Sequence, residues 1–276
     1  MTTSSVRWIY QWPRDAATPE FRVGRSADAL VAEWAGLGML VANHDGTQRE
    51  LRAAASMDPA LVEQALARPI AALLRHMRGG ISLHASSVAR AGVALALLGQ
   101  SCAGKSTLAS QLCAYPDVEL VSDDLAALDL EGPFVAIGGG ETNHSLRPDV
   151  AAAMGLDAFG RNKLKKPAAR AAEGPVRLGA CVSLVFDDAA PAPALRRLGG
   201  AEAFTALSLA IVRFALDDET ILGRELHQLA RVAAEAPLFE LRRPRDLAAM
   251  GASAGQALQL LRSLRSLPGE PLGWPR

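Results

Sequence analysis

Apolar and polar positions along the chain fall into two textures that change near residue 79. Before that point short apolar runs mix with two stretches of helical spacing, Ala27 to Leu37 and Pro59 to Arg78, the second rich in Ala and Leu. Residues 1–78 therefore read as a small α+β lobe. From Gly79 the run ISLHASSVAR, the pair Ala91-Gly92 and the run VALALLG predict two strands joined by a tight turn. KSTLASQLCAY then predicts a helix that stops at Pro116, and VELVS predicts another short apolar strand. The middle of the chain is thus strand, turn, strand, Gly-rich loop, helix and strand, the texture of an α/β domain.

Pro133 to Arg147, with Gly138-Gly139-Gly140 inside it, reads as a mobile loop, and residues 159–170 (FGRNKLKKPAAR) as a basic stretch beside a proline. VRLGACVSLVFDD is the clearest strand of the second half, followed by a Pro/Ala linker and Arg196 to Leu198. Ala201 to Glu235 is mostly helical by composition, and PLFELRRPRDL predicts one last strand running into a final helix. There is no internal repeat. Residues 79–276 read as the main domain.

Composition narrows the function classes. Half of the residues are apolar and 21% are charged, which suits a globular core and not a disordered chain. The 29 Lys and Arg balance 29 Asp and Glu, so a sequence-blind nucleic-acid binder, which needs a basic excess to neutralise phosphates, is disfavoured. The apolar runs fall far short of the roughly 20 residues of a membrane helix. The opening MTTSSVRWIYQWPRD lacks the basic-then-apolar order of a secretory signal. A cytoplasmic protein that binds neither nucleic acid nor membrane is expected. Cys102, Cys113 and Cys181 are an odd set without metal-type spacing, which suggests neither a disulfide framework nor a zinc site. His44, His76, His144 and His227 likewise form no cluster with ligand spacing.

The chemistry concentrates in one octet. Gly99, Gln100, Ser101, Cys102, Ala103, Gly104, Lys105 and Ser106 fit G-x-x-x-x-G-K-[ST], with Thr107 following. In such a loop the glycines let backbone N–H groups curl around phosphate oxygens and the helix N-terminus adds its positive end. Lys105 then reaches the β/γ-phosphates, and the Ser106 hydroxyl ligates Mg²⁺. A strand before the octet and an amphipathic helix after it supply the expected context; the bland alternative is an ordinary strand-to-helix turn with a surface lysine.

Lysine usage adds to this. Only four of the 29 basic residues are lysine, namely Lys105, Lys163, Lys165 and Lys166. Lysine is a compact point charge and arginine a planar fork, so a site that needs one does not accept the other. The three clustered lysines could grip an acceptor, act as a lid cation that reaches the γ-phosphate, or line a solvated loop. Arg147 is a further candidate for such contacts.

VELVSDD places Asp123 and Asp124 at the end of the next strand, 18 and 19 residues after Lys105. If the sheet sets that strand end beside the loop, one carboxylate steers Mg²⁺ and the other accepts a proton from an attacking hydroxyl. Alternatively the pair caps a turn or helix. His84, in the strand leading to the loop, is by spacing alone more often a satisfied core residue than a catalyst.

The run LHASSVARAGVALALLGQSCAGKSTLASQL, followed by VELVSDD, resembles the catalytic domain of the HPr serine kinase/phosphorylase family and its HPr-kinase-like relatives. The strong resemblance covers about residues 80 to 130; a weaker one continues through Ser145-Leu146-Arg147-Pro148, the lysine segment and Pro237 to Leu247. It implies an α/β fold with a P-loop kinase core of the HPr-kinase type over residues 79–276, behind the small N-terminal α+β lobe. The activity it implies is ATP- and Mg²⁺-dependent transfer of the γ-phosphate to a serine hydroxyl. By resemblance, Lys105 and Ser106 serve the nucleotide and Mg²⁺, Asp123 is the general base, Asp124 supports the metal or the base, and His84 lies close to the transferred phosphate. The E-x-R-G-x-G signature of true HPr kinases is missing after the acidic pair; Glu141 has different surroundings. The acceptor implied is therefore a peptide or small protein other than HPr, such as the C-terminal serine of a lasso-peptide precursor, and a homo-oligomer is also implied. Two other readings stay open: a small-metabolite kinase of the adenylylsulfate or shikimate type, and a nucleotide-binding regulator without transfer.

Overall fold

The computed structural model describes residues 6–153, 164–214, 219–246 and 249–264, so Lys163 lies outside the described residues. The fold is mixed α/β. The chain divides into two compact units, Met1–Ser82 with Val212–His227, and Leu83–Ile211 with Gln228–Arg276. Among the described residues no helix is long and apolar enough to cross a membrane.

The first unit is built on an antiparallel meander of β1 (Arg7–Trp12), β2 (Phe21–Arg25), β3 (Leu30–Trp34), β4 (Gly38–Ala42) and β5 (Arg49–Ala53), paired in chain order. Helix α1 (Pro59–Met77) starts on the Asp58 side chain, which accepts from the Ala60 N–H, with Pro59 where a missing N–H costs nothing. Its buried Val62, Leu66, Ile70 and Leu73 recur at helical spacing and pack with Val23, Leu30, Ala32 and Leu40 of the sheet. The helical spacing read over Ala27 to Leu37 does not hold: that stretch contains β3. The Ala29 N–H bonds the Ser26 hydroxyl at 3.1 Å, Gly36 turns the chain at φ +73°, and the five residues of β3 pair on both sides, with β2 and β4. Two ladders of cross-strand bonds override an Ala/Leu pattern too short to nucleate a helix.

The second unit carries a nine-stranded mixed sheet. It contains β6 (Ser82–Leu83), β7 (Ser86–Arg90), β8 (Val93–Leu98), β9 (Glu119–Ser122) after helix α2 (Lys105–Leu112), β10 (Ala126–Asp129) and β11 (Ala136–Ile137). A separate two-stranded ribbon is formed by β12 (Asn143–Leu146) and β13 (Leu164–Pro167), with the short α3 (Pro148–Ala153) between them in sequence. The sheet is completed by β14 (Val176–Phe186), β15 (Ala194–Arg197) and β16 (Leu238–Arg243); among the described residues the remaining helices are α4 (Gly200–Ala210), α5 (Glu219–Glu235), whose first half belongs to the first unit, and α6 (Met250–Ser263). The strand order is β6-β10-β11-β14-β8-β7-β9, with β16 on β14 and β15 on β16. The expected hairpin is present: β7 and β8 pair around Ala91 (φ +50°) and Gly92 (φ +76°), the two left-handed residues a type I′ turn requires.

Pro133 to Arg147 is a loop only in part: the three glycines lie in irregular backbone, with a short strand on either side of them. It holds β11, whose Ile137 is fully buried, and β12, whose Leu146 and His144 are each 1% exposed. Burial and strand pairing hold the segment despite three consecutive glycines. Helix α2 ends at Leu112, before Pro116, because Ala114 and Tyr115 turn back with N–H bonds to the Gln111 and Leu112 carbonyls.

Every residue of β8 is buried, and Leu95 and Leu97 pack in one cluster with Leu108 and Leu112 of α2 and Ala257 and Leu261 of α6. Leu95→Ala should therefore cost about 2–5 kcal/mol, the range for removing a fully buried leucine side chain, read as a lowered midpoint in urea denaturation. A loss under about 1 kcal/mol would mean that the cluster relaxes around the cavity.

Candidate active site

The strand directions gather the site. β14 runs parallel to both β8 and β16, and β7 runs antiparallel to β8 and β9, so β8, β9, β14 and β16 end at one edge of the sheet, where β7 begins. That edge carries the 99–107 loop, Asp123 and Asp124, Phe186, Arg243 and Arg245, with His84 and Ser86 contributed by the start of β7. Ligand sites of open α/β sheets lie at such carboxyl ends.

The loop between β8 and α2 uses left-handed backbone at Cys102 (φ +66°) and Gly104 (φ +81°). At Gly104 a second constraint applies, because a Cβ there would run into the Arg243 guanidinium. Gly104 caps α2 without a side-chain bond, and the positive end of a helix is the kind of place that suits an anion. Lys105 is 7% exposed and folds back over the loop, its Nζ donating to the Gly99 carbonyl at 2.8 Å and the Gln100 carbonyl at 3.0 Å. An arriving phosphate could take the place of those carbonyls.

The two aspartates part company. Asp123 is fully buried: Ser86 Oγ donates to its Oδ1 at 2.5 Å and the Ser145 N–H to its Oδ2 at 2.6 Å. Ser86 Oγ also stands 3.4 Å from Ser106 Oγ, so the carboxylate is linked through one hydroxyl to the 99–107 loop. Asp124 adopts φ +78°, and its side chain is 44% exposed and lines a cleft of about 380 Å³ over the loop. His84 Nδ1 lies 3.0 Å from the Asp124 carbonyl oxygen and 3.4 Å from Oδ1. A carbonyl oxygen only accepts, so Nδ1 carries the proton and, in the neutral ring, Nε2 is the acceptor. His84 also lines the cleft, so it is not a plain core residue.

The basic candidates separate in the same way. Arg147 lines the cleft, donates from Nη1 to Cys102 Sγ at 3.0 Å and forms a fork with Asp149. Lys165 Nζ donates to Ser145 Oγ at 2.7 Å, whereas Lys166 Nζ goes to Ser110 Oγ of α2 at 2.8 Å. Neither of these lysines lines the cleft. Lys165 therefore bears on the site through Ser145, and Lys166 braces the ribbon against α2.

The sequence reading passed over one whole wall. Phe186, Arg243, Arg245, Asp246 and Met250 line the cleft together. Arg243 is 1% exposed, donates from Nη2 to the Ala103 carbonyl at 2.7 Å and holds the loop from beneath. Burial pushes its guanidinium pKa down from the ordinary value. The signal available was two arginines at the end of a strand in RRPR; its meaning depended on the register of β16 along β14 and β8.

Oxygen donors suited to a hard cation are present: the Ser106 hydroxyl and the cleft-facing Asp124 carboxylate, a set that fits the one-carboxylate-plus-phosphate habit of Mg²⁺.

No family model matches the chain, and no curated protein matches it. Among solved structures it is similar to the Hpr(Ser) kinase/phosphatase from Coxiella burnetii, at 15% identity and a TM-score of 0.33, over 65% of this chain and 97% of that one. A likeness at that level leaves function to be argued from the site.

His144, 1% exposed with Nδ1 unpartnered, gives a pH test. Burial holds its pKa below the ordinary value; Asp123 opposes this and Lys166 adds to it. The unfolded chain then binds a proton that the folded chain refuses, so stability contributed by the neutral ring is present above about pH 6.5 and lost as pH falls from there toward the depressed pKa. Urea midpoints measured across that interval should decline more steeply for wild type than for His144→Phe. Parallel curves would show that His144 does not carry the acid sensitivity.

Proposed function

We propose that this chain is a kinase-like phosphotransferase that moves the γ-phosphate of ATP, or another nucleoside triphosphate, to a serine hydroxyl of a peptide or small protein. One observation carries the reading: a glycine-turned phosphate loop with Lys105 folded over it faces an Asp124–His84 pair across a single cleft. Phosphoryl transfer asks a protein mainly for positioning and charge stabilisation, and these residues are of the kinds that supply both.

Lys105 and the N–H groups of the loop hold the phosphates. Ser106 and Asp124 would hold Mg²⁺, which when bound neutralises charge on the transferring group. His84, with its Nδ1–H fixed on Asp124, takes the acceptor proton at Nε2. Asp123, to which the resemblance gives the proton, has both carboxylate oxygens engaged inside the protein. We assign it a positioning role: it fixes Ser86, and through it Ser106, and it fixes Ser145.

The acceptor reading is supported by a second hollow of about 630 Å³ that opens off the cleft at His84, Ser101 and Cys102. Its further lining includes Leu184, Val185 and Ala206, with Leu209 79% exposed, an apolar surface broader than a small polar metabolite requires.

Incubation with ATP, Mg²⁺ and a panel of serine peptides, HPr and metabolites, read by intact mass, should add one phosphate of about 80 Da to a peptide. Gain on a metabolite instead would make the protein a small-molecule kinase. On the peptide that is labelled, His84→Ala should lower kcat by about 10²–10⁴ with nucleotide Kd nearly unchanged. Asp123→Asn should lower the unfolding midpoint and weaken nucleotide binding. Loss of transfer in Asp123→Asn with fold and binding intact, beside an active His84→Ala, would return the base role to Asp123.

A further inference from the structure

The cleft has two walls, and phosphoryl transfer accounts for only one. Asp124, Ser145 and Arg147 stand on the side with the carboxylate and hydroxyl chemistry; Phe186, Arg243, Arg245, Asp246 and Met250 form the other side, across the loop. Arg243 commits one Nη2 donor to the Ala103 carbonyl and an Nη1 donor to the Met250 sulfur, and the wall also carries an aromatic ring and a thioether, groups that give a phosphate nothing.

What the second wall offers is a flat, polarisable surface. Two guanidinium groups lie over the Phe186 ring, Arg243 at 4.7 Å and Arg245 at 4.6 Å from its centroid. Arg243 is buried and fixed, and its Nη1 meets the Met250 sulfur at 3.7 Å. Arg245 is exposed and lines the cleft, with its guanidinium carbon over the ring in a cation–π contact. A planar guanidinium backed by an aromatic ring, beside a buried thioether, is a surface on which a nucleobase stacks and from which a phosphate gains only charge.

Resting on the phosphotransferase reading above, we infer that the Phe186–Arg245 stack, with Met250, is the subsite for the base of the nucleoside triphosphate. The occupant follows from continuity. Phosphates seated at the N-terminus of α2 lie in the same cleft as this wall, and the nucleoside is the only other part of that ligand. Arg245 works here through its plane more than its charge.

Isothermal titration of the full chain with ATP and with inorganic tripolyphosphate, each with Mg²⁺, separates the two ends of the ligand. Wild type should bind ATP at least about tenfold more tightly than tripolyphosphate, the scale of one stacked base. Arg245→Lys, an exposed change that keeps the charge and removes the plane, should lose most of that ratio while leaving tripolyphosphate affinity unchanged. Phe186→Ala, checked for folding by circular dichroism, should do the same. Lys105→Ala should weaken both ligands. An unchanged ATP-to-tripolyphosphate ratio in Arg245→Lys and Phe186→Ala, with Lys105→Ala still weakening both, would overturn the base subsite and leave the phosphate-loop reading standing. Absence of binding by either ligand to the wild type would overturn both.

Discussion

The site hangs on one buried carboxylate. Asp123 sits fully out of water at the end of β9, and its two oxygens are held by the Ser86 hydroxyl from β7 and the Ser145 N–H from β12. A carboxyl group buried there without partners would be costly, so its hydrogen bonds are conditions for the fold as much as contributions to it. They also fix geometry. Ser86 carries the constraint to Ser106 at the start of α2, and Ser145 carries it to Lys165 on β13. The 99–107 loop, the start of β7 and the lysine ribbon are thereby held in register by a group that does not itself line the cleft.

This explains how much could be read in advance. The octet from Gly99 to Ser106 is a local instruction: glycines at fixed spacing set the backbone, and the flanking apolar runs set a strand and a helix, so loop and context were legible together. The placement of Asp123 and Asp124 at a strand end was legible for the same reason. Which of the two would face the cleft was not, because it turns on the φ of +78° at Asp124 and on partners supplied from residues 86 and 145. The helical spacing over Ala27 to Leu37 misled because cross-strand pairing, invisible in a local window, outweighed propensity there. The three glycines near residue 139 do lie in irregular backbone, but their spacing did not show that at Gly139 the Gly174 backbone lies where a Cβ would project, so that glycine admits a close chain approach.

The missed wall of the cleft shows a third kind of illegibility. Arg243 lies 138 residues beyond Lys105 in sequence, yet it touches the loop because β16 pairs with β14 and β14 with β8. Nothing in RRPR distinguishes a surface arginine from one seated 2.7 Å from the Ala103 carbonyl; only the sheet does. Gly104 carries the trace of that arrangement. Its glycine answers both a left-handed backbone and the guanidinium beneath it, so the motif residue and the distant arginine are one packing solution.

Strand direction then separates residues that build the site from residues that build its support. The segments that follow β8 and β9, and the last residue of β14, supply the cleft lining at Ser101, Asp124 and Phe186, and positions within those strands meet the core. The cysteines obey the same division. Cys181, inside β14, and Cys113, just past α2, are buried, and burial pushes each thiol up to about 12, which leaves them as small apolar fillers without nucleophilic character at neutral pH. Cys102, at the turn of the loop, is exposed and receives the Arg147 guanidinium. One residue type thus takes two physical roles according to its distance from the carboxyl edge of the sheet, and the same rule places Phe186 and Arg243, the last residues of their strands, where a ligand would meet them.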